Sequence, residues 1–243
     1  MPKHQKSGTA RASETFAMHA LLCGCAAEIF LFVVRRHAAG AAGQMILWHE
    51  RYLPILAGIG AAILALGAIW TGLQRGDQFK RMVGLYLCGT GLFVALVSLL
   101  SIWDLTFLDR LLVLVPSAAF LGIVWGLYDR LCAACMTVLV VGIMAMWLFS
   151  RTMQPFSPYL TLSRALAVAL LAALAGVLYL LWNGTLKKFL SLGENTLPLY
   201  ASLALTFSGI LSSLVSVAAA SYAMWTLSLA AFGLFVYYTV KQI

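Results

Sequence analysis

The sequence predicts an all-α, polytopic membrane bundle of about eight transmembrane helices, with seven as the alternative count and two four-helix halves as the natural subdivision. Three observations carry this. The 243-residue chain is 63% hydrophobic and only 10% charged, against about 25% charged residues in soluble domains. Eight apolar runs each reach the length of about 20 residues that crosses a hydrocarbon core. The links between them are short, and most of the charge sits in them.

Residues 1–16 are polar and basic and read as a tail, and 17–243 read as one transmembrane domain, divisible at 17–127 and 131–240. The predicted spans are 17–34, 53–73, 82–102, 108–127, 131–149, 164–182, 196–216 and 219–240. An uncleaved first helix fits better than a signal peptide, because the apolar run continues through "IFLFVV" past the Cys23-Gly24-Cys25 box. "GLYDRL" separates the fourth span from the fifth, since Asp129 and Arg130 are costly in hydrocarbon and Asp129 is suited to cap the next helix. Only the weakly polar "SVAAASY" separates the seventh from the eighth, which keeps the seven-helix count open.

The net charge of +8 is spread in small clusters between apolar runs. It therefore predicts bilayer contact and not nucleic acid. With the amino terminus inside, ten Lys and Arg fall on inner segments, Arg75, Lys80 and Arg81 among them, and six on outer ones, Arg35 and Arg36 among them. This predicts cytoplasmic termini in a cell membrane, and the short connections fit a bacterial inner membrane. The two halves match in spacing at an offset of about 112, and "WTGLQR" at Trp70 resembles "WNGTLKK" at Trp182.

Two spans carry small residues at identical steps of four and three. Gly84, Cys88, Gly91, Ala95 and Ser98 form one stripe, and Ser202, Thr206, Gly209, Ser213 and Ser216 the other. Each keeps to one helix face. Such stripes are packing seams first, because small residues let backbones approach and hydroxyls can bond across the contact. The functional alternative is a polar transport pathway lined by Ser202, Thr206, Ser213 and Ser216, as at repeat interfaces of transporters.

Glu28 is the sharpest candidate for chemistry, an acid inside "CGCAAEIFLFVV". An intramembrane carboxyl either couples to a proton or cation or is satisfied by a fixed partner. Arg35 lies seven residues on, roughly 10 Å along the helix and on nearly the same face, and is the expected ion-pair partner. Gly24 and Cys25 share that face, which predicts that it looks into the bundle.

The cysteines Cys23, Cys25, Cys132 and Cys135 would suit disulfide exchange or a metal if they met. However, Cys23 and Cys25 project roughly 200° apart, so small apolar residues is the plainer reading. The histidines show no ligand spacing, and neither metal nor cofactor is expected. "WHERY" at Trp48–Tyr52 reads as an interfacial anchor on a short helix. "SLGENTLPLY" at Ser191–Tyr200, with Asn195 or Thr196 as cap and Pro198 in the first turn, resembles a segment of membrane acyltransferases of the acyltransferase-3 type. The family's histidine position is Leu203 here. The resemblance implies acyl transfer by a membrane enzyme.

Function is therefore expected in this order: a small transporter or permease-like subunit using Glu28 and the hydroxyl stripe, then a non-catalytic scaffold or accessory subunit with a membrane protein partner or a second copy of itself, then an acyltransferase-like enzyme.

Overall fold

The computed structural model describes residues 4–74, 76–154, 156–190 and 196–242, and these contain helices and no strand. The order is α1 (His4–Ala38), α2 (Ala42–Leu47), a π-helical turn (Trp48–Tyr52), α3 (Leu53–Leu73), α4 (Gln78–Trp103), α5 (Thr106–Leu127), α6 (Arg130–Thr152), α7 (Leu160–Trp182), α8 (Thr185–Leu190), α9 (Leu197–Val215) and α10 (Val217–Gln242). Eight of the described helical segments are long and apolar enough to cross a membrane. The protein is a multi-pass membrane protein. Its exposed surface fits lipid: Leu22, Ile29, Phe32, Leu66, Ile69 and Leu229 all point outward.

Local chemistry explains some of the helix ends. Asp77 caps α4, its carboxylate accepting the Phe79 amide at 3.1 Å. Gly184, at φ +73°, follows α7 in the left-handed region that glycine adopts without a Cβ penalty. Asp129 stands at the cap position of α6, yet its side chain makes no capping bond there. The break between α9 and α10 is one extended residue, Ser216 (φ −153°, ψ 139°), and it makes the count eight rather than seven. At the amino end, α1 starts at His4, so the part of the predicted tail that is described is helical; no proline interrupts it between Lys3 and Leu53.

Between α4 and α5, Asp104 closes an Asx turn. Its Oδ1 accepts the Thr106 amide at 2.9 Å and its Oδ2 the Thr106 hydroxyl at 2.7 Å. These bonds hold the Asp104 carboxyl below its ordinary value of 3.8. A depressed folded-state value means the turn's contribution is complete above 3.8 and is lost as pH falls through the lowered value. A carboxyl-carbon titration by NMR should therefore give Asp104 a midpoint below 3.8, moved upward in Thr106→Val. An unshifted midpoint in the parent protein would contradict the turn.

The chain forms two compact units, residues 24–116 and residues 1–23 with 117–243. The cuts fall inside α1 and α5, at Cys23/Gly24 and Pro116/Ser117. In the first unit α3 and α4 pack along their length, backbone against backbone. A Cβ on Gly60 would sit 2.5 Å from the Ala95 nitrogen, and one on Gly67 would sit 2.6 Å from the Cys88 nitrogen. The stripe of Gly84, Cys88, Gly91 and Ala95 thus meets a matching stripe on α3. Leu31, Val34, Ala38, Leu53, Val97 and Leu108 form this unit's core.

In the second unit α6 is the central helix, packed against α9 and α10 with Leu139, Met146 and Phe149 fully buried. α7 lies against α9. Tyr128 joins α10 through a 2.8 Å hydrogen bond between its hydroxyl and that of Thr239, and its ring meets Phe235.

Candidate functional site

Glu28 continues the buried stripe of α1. It stands one turn after buried Gly24 and one turn before fully buried Leu31. Cys25, predicted for the same inward face, is exposed. The Glu28 side chain is partly buried, and its Oε1 is shut off from solvent with no hydrogen-bond partner. One other described side-chain atom shares this condition, the Oγ of fully buried Ser98 on α4. Both atoms belong to unit 24–116 and border its core, Glu28 one turn from Leu31 and Ser98 next to Val97. An orphaned buried polar atom costs about 1–3 kcal/mol.

Arg35 is engaged elsewhere. Its Nε lies 2.7 Å from Asp109 Oδ1, so the expected Glu28–Arg35 pair is replaced by an Arg35–Asp109 pair. The reason is geometric. Arg35 is in the last turn of α1 and Asp109 in the first turn of α5, where each charge also complements its helix dipole. Glu28 lies two turns deeper. Nothing in one sequence says which span lies beside α1, so Asp109 does not stand out there as a partner of Arg35. Ser98 was visible only as the last member of a small-residue stripe.

The hydroxyl stripe of α9 lies in the other unit. Ser202, Thr206 and Ser213 are buried. Each hydroxyl donates within its own helix, to the carbonyls of Pro198 (2.8 Å), Ser202 (2.9 Å) and Ile210 (2.7 Å). The Thr206 methyl faces Gly142 of α6, where a Cβ would come within 2.7 Å of it, and Gly209 faces Ala223 and Leu227 of α10. A cavity of about 180 Å³ between α6, α7 and α9 includes Thr206, and its exposed lining is apolar. Ser216 is exposed and forms the corner after α9, outside the buried stripe.

Cys23 and Cys25 are exposed, whereas Cys132 and Cys135 are fully buried on α6. Among the described residues, no group of three or more His, Cys, Asp or Glu is placed to hold a metal ion. Leu203 is buried in the apolar cluster of Leu181 and Leu199. Ser191–Asn195, most of the acyltransferase-like stretch and the Asn195 cap with it, lie outside the described residues. Thr196 occupies the cap position of α9 without a side-chain capping bond.

"WHERY" forms the π-helical turn. Pro54 has no amide to give to the carbonyl four residues back, and the helix passes this point with Leu53 N–H bonded to the Trp48 carbonyl, one residue further than in an α-turn. Trp48 stacks on His37 with ring centres 5.0 Å apart, and Tyr52 packs against Trp48 at 5.3 Å. Comparison with known protein families, curated proteins and solved structures finds no match for the chain.

Proposed function

We propose that the protein is a small transporter or permease-like subunit of a cell membrane, the bacterial inner membrane on its composition, in which Glu28 is the proton- or cation-binding group. The observation that carries this reading is the Glu28 Oε1, buried without a hydrogen-bond partner while Arg35, the nearest fixed cation on its helix, is held by Asp109. A carboxyl at membrane depth with no fixed counter-ion takes a mobile one or a proton. The buried Ser98 hydroxyl, also unpartnered, supplies a second oxygen in the same unit. The Ser202, Thr206 and Ser213 hydroxyls donate to carbonyls of α9 and Ser216 forms the corner after it, so the reading rests on Glu28 rather than on this stripe.

The test is ion flux into vesicles reconstituted with the purified protein, driven by a pH step and read by a trapped dye. Glu28→Gln keeps the side chain's shape and removes its charge. It should lower flux at least about tenfold, the loss expected when an obligatory carrier group is removed, with Glu28→Asp retaining part of it. Equal flux in parent and Gln variant would remove Glu28 from the mechanism.

A second reading, a non-catalytic scaffold or accessory subunit, draws support from the apolar interior around α9. It requires a stoichiometric membrane protein partner, or a second copy of this chain, to survive purification in mild detergent.

A further inference from the structure

We propose that the cleft between α3 and α4 holds an anionic glycerophospholipid, its headgroup phosphate on Arg81 and one acyl chain along Ala68, Gly72 and Leu85. The cleft measures about 670 Å³ and is lined by Ala68, Thr71 and Gly72 of α3 and by Arg81, Leu85 and Cys88 of α4. The residues recur at helical spacing, i, i+3, i+4 on one helix and i, i+4, i+7 on the other, so each helix contributes one continuous wall. From Arg81 to Cys88 the trench runs roughly 10 Å into the bilayer.

Its polarity is confined to one end. The Thr71 hydroxyl donates to the Gly67 carbonyl at 2.7 Å, and the Cys88 thiol to the Leu64 carbonyl at 3.7 Å. The guanidinium of Arg81 is the remaining side-chain donor of the lining. Arg81 has no ion-pair partner among the described residues, whereas neighbouring Lys80 is paired with Asp77 at 3.6 Å. It sits in the first turn of α4, close to the start of the span that begins at Phe79. There a long basic side chain reaches the phosphate layer. The partial positive charge of the α4 amino terminus adds to the attraction. A free phosphate would use only the arginine end; small Ala68 and Gly72 leave the rest of the trench open to a chain.

The experiment is native mass spectrometry of the delipidated full chain in mild detergent, with phosphatidylglycerol, phosphatidylcholine or inorganic phosphate added. The parent protein should retain phosphatidylglycerol over phosphatidylcholine, and Arg81→Gln should cut that retention about fivefold, the attraction of one basic side chain at the surface. Gly72→Leu should cut it by a similar factor by filling the trench. A Cβ at Gly72 meets nothing within 4 Å, so the fold tolerates the change, and Gly89→Leu, equally unobstructed but outside the cleft, should leave binding as it was. Retention unaffected by Arg81→Gln, or equal for the two lipids, would overturn the proposal. So would displacement of phosphatidylglycerol by inorganic phosphate, since that would identify a phosphate site with no role for the chain.

Discussion

Gly60→Ala should destabilise the α3–α4 pair by about 1–3 kcal/mol, the usual cost of forcing volume into a packed contact, and Gly60→Leu by more. The added Cβ would lie 2.5 Å from the Ala95 nitrogen and 3.0 Å from the Gly91 carbonyl oxygen, so the obstruction is backbone and cannot turn aside. Relief requires the two helices to separate, which opens the remaining close approach at Gly67 and Cys88. Gly58 supplies the control: it is two residues away on the same helix, and a Cβ there meets nothing within 4 Å. Melting of the purified protein in detergent should show a clear drop for Gly60→Ala and little change for Gly58→Ala. Equal behaviour of the two would mean that helix composition, not the backbone contact, governs the pair.

Thr206→Lys and Thr206→Val should part widely in the second unit. The valine keeps the branched shape and loses a hydroxyl whose single described bond is to its own helix, at 2.9 Å to Ser202. A cost near 0.6 kcal/mol is expected, the average for hydroxyl bonds in membrane helices. The lysine puts an unpaired ammonium where the side chain is fully buried against Gly142. Insertion alone then costs about 2.5–3.5 kcal/mol at a helix centre, with steric obstruction added. The measurement is the yield and melting temperature of folded protein in detergent. A stable lysine variant would mean that water reaches this face, and the hydroxyl stripe would return as a pathway.

Segments long enough to cross the bilayer were legible because hydrocarbon imposes a length on every span and forbids most charges within it. Where the bilayer imposes nothing, the reading was weaker. The α9–α10 corner rests on the backbone of one residue, Ser216, with no proline or glycine to announce it. The amino-terminal residues His4–Phe16 are polar, yet they continue α1, because a helix needs no apolar face once it leaves the membrane. At the candidate site Glu28 was conspicuous as an acid among apolar neighbours. Arg35 is the basic residue that spacing along one helix puts nearest to it, yet a neighbouring helix holds that arginine through Asp109 at 2.7 Å, a contact that spacing within α1 does not disclose. Arg81 reads in the sequence as one of ten basic residues on inner segments. Its position at the mouth of a cleft depends on how α3 and α4 dock, which one chain of letters does not reveal.

The π turn at Trp48–Tyr52 has a consequence for how this protein can vary. One extra residue in a turn shifts the phase of everything after it by roughly 100°. The turn thereby brings the Trp48 face, which stacks on His37, to within roughly 20° of the Gly60 and Gly67 face that meets α4, where an uninterrupted α-helix would hold them roughly 100–120° apart. The turn acts as a clutch between two registers. Losing a single residue from it would rotate the glycine face away from α4, while exchanging its aromatic side chains one for another would leave the helix pair aligned.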